Sequence, residues 1–182
     1  AAHARTAAEI WKQTGRRVHA FVMGVGTSGT LTGVGRWLRR RRPSVRLVAV
    51  EPKGSAVLSG CEPGPHRLQG IGEGFVPEIY DAKLVDEVVG VSDADARITA
   101  CRLAREEGIL AGYSGGANVF AARRVARRLG PRQVVVTMIP DTGLKYLSTG
   151  LYTPEPALCR RCAGRRRCES LRRRVAAVLG AG

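Results

Sequence analysis

Aromatic side chains make up only 5% of the 182 residues, acidic residues number 15 against 30 Lys and Arg, and lysine occurs just four times, at Lys12, Lys53, Lys83 and Lys145. Scarce aromatics leave little on which unpaired bases could stack, which weighs against a single-strand nucleic-acid binder. The shortage of acid leaves a formal net charge of +15. That balance favours contact with anions such as nucleic acid or a phosphorylated ligand. The plainer reading, for the body of the chain, is arginine spread over solvated helix faces. No apolar run approaches the ~20 residues that a membrane helix needs, and no stretch has the pattern of a secretory leader. The expectation is a soluble, cytoplasmic protein with no membrane partner. Five cysteines, an odd number without a leader, argue against a disulfide framework. The 44% of hydrophobic residues suffice for one globular domain with a sizeable core.

Apolar runs alternate with helical periodicity. A short helix is expected over residues 4–12, a strand over 18–23, and a helix over 30–42 with Leu31, Val34, Trp37 and Leu38 at helical spacing. Strands follow at 45–50 and 84–91. Ser92-Asp93-Ala94-Asp95 has the form of a capping box opening a helix that Gly108 stops, with Ala94, Ile98 and Cys101 on one side. Gly112-Tyr113-Ser114-Gly115-Gly116 reads as a loop opening a helix at 117–129, and 132–139 as a buried strand. Such alternation predicts an α/β fold, a mostly parallel sheet with helices on both faces. The domain boundaries expected are 1–153 for this body and 154–182 for a basic, Cys/Arg-rich, disordered tail. In open parallel sheets, ligands sit at the carboxyl ends of the strands. The first and third glycine segments and the turn Pro140-Asp141-Thr142-Gly143 all follow strand-like runs and could share one crevice.

The first glycine segment, Gly24-Val25-Gly26-Thr27-Ser28-Gly29, is by letter a G-x-G-x-x-G, and Glu51 ends the next strand about where a dinucleotide fold places its ribose-binding acid. Its side chains point elsewhere. Thr27, Ser28 and Thr30 add three hydroxyl donors to backbone N–H groups at a helix start. Three hydroxyls fit the three oxygens of one terminal phosphate monoester better than a passing pyrophosphate.

These residues resemble the phosphate loop of the cysteine synthase and cystathionine β-synthase family, pyridoxal-phosphate enzymes of the tryptophan-synthase-β fold type. "LQGIGEGFVP" (68–77), "EEGILAGYSGGA" (106–117) and "PDTGLKYLST" (140–149) are similar to three further motifs of that family, in its order and spacing. The resemblance runs from about His3 to Tyr152 and is to the C-terminal part of the family's chain. It implies the family's large cofactor-binding domain, with pyridoxal 5'-phosphate as cofactor and its phosphate cradled by Gly26, Thr27, Ser28, Gly29 and Thr30. The family more often has Gly at the position of Ser28. Ser114 matches a serine at the cofactor ring, with Thr142 as the alternative hydroxyl facing the pyridine nitrogen; Gly70 and Gly72 match a segment beside the substrate. A hydroxyl there leaves the ring nitrogen neutral. The ring is then a weaker electron sink, which suits loss of a β-substituent and attack by a thiol or sulfide. The implied activity is a transferase or lyase reaction of cysteine biosynthesis: β-replacement on O-acetylserine or a similar activated serine.

The family's Schiff-base lysine is not matched by any of the four lysines, so no catalytic residue is assigned to this chain, which is expected to be incomplete and nearly inactive alone. The family's full-length members suggest a homodimer acting on a small amino-acid substrate. In the tail, Cys159, Cys162 and Cys168, with Cys61 or His66 as a distant fourth, could ligate zinc, but no second close pair follows. A basic extension without metal is expected, able to touch nucleic acid nonspecifically. Two other readings remain open: an NAD-dependent oxidoreductase domain, and a noncatalytic binding or regulatory protein on the same fold.

Overall fold

The computed structural model describes residues 2–153, so the expectations placed on the Cys/Arg-rich tail lie outside the described residues. Helix α1 (Ala2–Gln13) leads to strand β1 (Ala20–Gly24) and helix α2 (Gly29–Arg41). Strands β2 (Arg46–Pro52) and β3 (Glu87–Val91) follow, then helices α3 (Asp93–Arg102) and α4 (Tyr113–Leu129) and strand β4 (Val135–Thr137). The strands form one parallel sheet in the order β3-β2-β1-β4.

Period-two alternation along the strands decides which helices cover which face. Ala20 and Val22 of β1, with Val48 and Val50 of β2, pack with Ala96 of α3 and Ala117, Ala121 and Val125 of α4. Phe21 and Met23, with Leu47 and Ala49, pack instead with Ala7 and Ile10 of α1 and Leu31, Val34 and Leu38 of α2. Both faces are therefore buried, which is why β1 and β2 read as nearly continuous apolar runs. Each fully buried Leu, Val or Phe side chain contributes about 1.5–3 kcal/mol relative to exposure. An edge-on contact of Trp11 with Trp37, ring centroids 6.3 Å apart, ties α1 to α2.

Several boundaries differ from expectation for identifiable reasons. Strand β3 starts at Glu87 rather than residue 84, because Asp86 binds β2 irregularly: its amide donates to the Leu47 carbonyl (2.9 Å) while its side chain accepts from the Leu47 amide (2.7 Å). Strand β4 spans three residues; just before it, the Val134 amide is taken by the His19 ring (2.9 Å). Ser92 caps α3 as expected, accepting the Asp95 amide at 3.1 Å and donating to the Asp95 carboxylate at 2.7 Å. The buried side of α3, however, is Ala96, Arg97, Thr99 and Ala100, whereas Ala94 and Ile98 are exposed. A π-helical turn (103–107) then carries the chain to Gly108, whose left-handed φ of 70° ends it.

The largest correction is at α4. It starts at Tyr113, so Ser114, Gly115 and Gly116 are helical and Gly112 is the N-cap. Glycine there answers a need for close approach: a Cβ on Gly116 would overlap the Ala96 carbonyl oxygen and lie 3.1 Å from the Ala100 Cβ. Packing of α3 on α4 outweighs the ~1 kcal/mol that glycine costs in a helix.

Candidate active site

The first glycine segment leaves the carboxyl end of β1. Its course is held on one side by the Val25 amide, which donates to the Val50 carbonyl at 3.0 Å. Ser28 turns the chain into α2 with φ 66°, a left-handed conformation that favours glycine and costs other L-residues about 1–2 kcal/mol. That is a physical reason for glycine to be commoner at this position. The Ser28 hydroxyl is buried and lies 3.0 Å from the Thr32 hydroxyl, which itself donates to the Ile79 carbonyl at 3.0 Å. A hydroxyl has one hydrogen. Thr32 spends its own on Ile79, so Ser28 donates to Thr32 and has no hydrogen left for an anion.

Thr27 is exposed and Thr30 half-buried, and neither side chain makes a hydrogen bond among the described residues. Both hydroxyls are unspent, beside the first-turn N–H groups of α2 that lack intrahelical partners. No acidic residue stands in that turn. We expect Ser28→Gly to leave stability within about 1 kcal/mol of the wild type, because relief of the left-handed turn offsets one lost hydrogen bond. Ser28→Val should lose about 2 kcal/mol or more for the opposite reasons, as read by chemical denaturation.

The second segment lies directly against the first. The Gly72 amide donates to the Val25 carbonyl at 3.0 Å, and a Cβ on Gly26 would come within 2.7 Å of the Gly70 carbonyl oxygen. Gly70 and Gly72 both have positive φ, 85° and 73°. His66 pins this segment: Nδ1 accepts the Leu68 amide at 3.2 Å, so in the neutral ring Nε2 carries the hydrogen and donates to the Gly72 carbonyl at 2.9 Å.

The third segment and the 140–143 turn also meet. Ala111 and Thr142 form an isolated antiparallel bridge, and the Gly143 amide donates to the Leu110 carbonyl at 2.8 Å. Ser114, buried at 3% exposure, makes no side-chain hydrogen bond among the described residues. Thr142 is exposed, and its hydroxyl oxygen accepts the Leu144 amide at 3.4 Å as the cap of a short turn. One helical turn beyond Ser114 stands Asn118, fully buried, whose amide joins the Gly24 N–H to the Met138 carbonyl.

In the same turn, Tyr146 donates its hydroxyl hydrogen to Asp141. Burial, then the bonded and charged carboxylate, push the tyrosine up to about 12. Because the folded-state value lies above the ordinary 10, the stabilising contribution is complete below pH 10 and fades as pH climbs toward 12. Stability measured across that window should fall, and Tyr146→Phe should flatten this part of the profile.

Glu51 corrects the dinucleotide reading. It is 1% exposed, and its carboxylate accepts the Leu58 amide at 2.8 Å and the Ser59 hydroxyl at 2.5 Å. It pins the turn after β2 and offers no oxygen to a ribose. Lys12, Lys53, Lys83 and Lys145 are all exposed. Cys101 donates to the Leu151 carbonyl at 3.3 Å and burial pushes its thiol up, so it packs rather than attacks. Asn118, Thr32, His66 and the Asp141–Tyr146 pair escaped the sequence reading as parts of the site. Only Asn118 carried a hint, as a lone amide among the small and apolar residues opening α4.

The pyridoxal-phosphate dependent enzyme family model matches residues 1–141. A cysteine synthase of Staphylococcus aureus (strain Mu50) is 47% identical over 149 residues, 81% of this chain and 48% of that protein. An O-acetylserine sulfhydrylase, isoform 3, from Entamoeba histolytica superposes with TM-score 0.82 at 44% identity, over 86% of this chain and 47% of that one. An O-acetylserine dependent cystathionine β-synthase from Helicobacter pylori gives TM-score 0.77 at 40% identity, over 81% and 48%. The chain thus spans about half the length of these relatives. The solved neighbours share the parallel α/β architecture, and with the family model covering most of its length, the chain belongs to the pyridoxal-phosphate dependent enzymes.

Proposed function

We propose that this chain forms the phosphate-holding and ring-facing wall of a pyridoxal-phosphate site. The reaction served is β-replacement on O-acetylserine or a similar activated serine by sulfide or a thiol. The observation that carries the reading is the unspent donor set at the mouth of β1: the Thr27 and Thr30 hydroxyls and the first-turn amides of α2, with no carboxylate in that turn. This donor chemistry fits a phosphate monoester. Ser28 shapes the loop through its backbone and, through Thr32, holds it to Ile79, while Gly26 and Gly29 form the rest of the wall.

Pyridoxal phosphate supplies an electron sink for cleavage at the β-carbon of an amino acid. Of the two candidate hydroxyls, Ser114 suits the pyridine nitrogen better: it is buried and uncommitted, whereas Thr142 is exposed and caps a turn. A hydroxyl bonds the nitrogen without charging it. Gly70, where an added Cβ would meet nothing within 4 Å, leaves room beside the loop for the amino-acid substrate, and Gly72, whose Cβ position is closed off by Pro52, would line that segment through its backbone. All four lysines are exposed, and Lys12, Lys53 and Lys83 lie outside these segments, so the reading has the amine that anchors the cofactor and moves the α-proton come from outside this chain. A homodimer and a cytoplasmic setting belong to the same reading of the whole enzyme.

The test is an equilibrium titration of the purified chain with pyridoxal 5'-phosphate and with unphosphorylated pyridoxal. The phosphorylated form should bind at least about tenfold more tightly, inorganic phosphate should compete, and Thr27→Val with Thr30→Val should weaken binding about a hundredfold, two lost charge-assisted bonds being worth roughly 1.5 kcal/mol each. Equal affinity for the two vitamers would refute the phosphate loop; tight NAD binding would favour the oxidoreductase instead.

A further inference from the structure

We infer that Asn118 is the positioning residue of the phosphate loop: its buried amide bridges the two strand ends that open the crevice and fixes the loop against the 140–143 turn. This rests on the reading of the loop given above. Strands β1 and β4 pair in register only from Ala20↔Val135 to Val22↔Thr137. Beyond that point the two chains separate, β1 running into the phosphate loop and β4 toward Thr142.

The gap between them is spanned by one side chain. Asn118 Oδ1 accepts the Gly24 N–H at 2.8 Å, Nδ2 donates to the Met138 carbonyl at 2.9 Å, and Nδ2 lies 3.7 Å from Met23 Sδ. Asn118 is 0% exposed, so water does not substitute for these bonds. It stands on α4 four residues after Ser114, hence on the same helix face. One amide thereby ties together the segments bearing Thr27 and Thr30, Ser114 and Thr142. Gly24 is free of a side chain where this happens: a Cβ there would lie 3.0 Å from Oδ1 and 2.7 Å from Ile71 Cγ2.

A nearby bond gives a control. The Thr137 hydroxyl donates to the Val22 carbonyl at 2.7 Å, also joining β4 to β1, but short of the loop. Asn118→Leu keeps the branched four-atom shape with somewhat greater volume and strands the Gly24 donor and Met138 acceptor; Thr137→Val removes a bond of similar kind without touching the loop. Both should lower the thermal midpoint by a few degrees. Only Asn118→Leu should cut affinity for pyridoxal 5'-phosphate, by about tenfold, with pyridoxal unaffected, so that the ratio of the two affinities falls about tenfold. The ³¹P resonance of the bound vitamer should shift in that variant alone.

A destabilised Asn118→Leu that keeps the wild-type ratio and ³¹P shift would overturn the inference while leaving the phosphate loop intact. A wild type that does not distinguish the vitamers would bring down the loop reading and this inference with it. Should Asn118→Leu fail to fold, Asn118→Ser is measured in its place: a fallen ratio supports the inference and an unchanged one overturns it.

Discussion

Gly116→Ala will cost about 3 kcal/mol or more and will leave little soluble, folded protein. The sign of this expectation is not that of helix propensity. Alanine in a helix interior gains roughly 1 kcal/mol over glycine. At this position the added Cβ would occupy the space of the Ala96 carbonyl oxygen and approach the Ala100 backbone nitrogen and Cβ, each at 3.1 Å. A backbone carbonyl cannot swing aside as a side-chain tip can, so α3 and α4 must separate, and overpacking typically costs about 1–3 kcal/mol before such movement strips further contacts. Ala96, Ala100, Ala117 and Ala121 are all fully buried at this seam. Pairing Gly116→Ala with Ala100→Gly relieves only one of the three close approaches and should recover a minor part of the loss. Urea denaturation of Gly116→Ala, Ala100→Gly and their combination reads the effect; a Gly116→Ala protein as stable as the wild type would disprove the seam as described.

Glu51→Ala should destabilise by about 3 kcal/mol. The substitution strands the Leu58 amide and the Ser59 hydroxyl, each previously bonded to a charged acceptor, and hydrogen bonds to charged groups contribute about 1.5–3 kcal/mol apiece. A second readout separates this from simple loss of volume. Burial, and then the Glu51 charge, raise the ionisation of Tyr80 above its ordinary value. Without the carboxylate, Tyr80 should ionise at lower pH, visible as tyrosinate absorption appearing earlier in an alkaline titration. Glu51→Gln should give the same tyrosine shift with a smaller stability loss. An unchanged Tyr80 titration in both variants would mean the carboxylate is not where it is described.

The parts of this architecture legible in the sequence are those that depend on local pattern. Val18 to Met23 and Val45 to Val50 announce buried strands because both sheet faces are covered, and Ser92 announces a helix because its cap is made with Asp95, three residues on. The Gly112–Gly116 segment misleads because glycine suggests backbone freedom. The structure uses it for the absence of a side chain, a requirement set by Ala96 and Asp141, far away in sequence. Ser28 misleads for the same kind of reason. Its hydroxyl is visible in the sequence, but its recipient, Thr32, is occupied by Ile79, 47 positions further on. Asn118 and Gly24 are separated by 94 positions. Chemistry can be assigned to hydroxyls by inspection; whether each hydroxyl is already spoken for cannot.

The arrangement of the sheet has a consequence for how the protein is made. Strand β1 is synthesised well before its partner on one side, β4, which lies some 115 residues downstream, as the Thr137–Val22 bond illustrates. On the ribosome, β1 therefore waits with one row of amides and carbonyls open until β4 has emerged. Loop-closure entropy makes such distant pairing slow, and a bare strand edge invites pairing with other nascent chains. Stalled or prematurely terminated products that stop short of residue 135 should accumulate in inclusion bodies more than products that include β4.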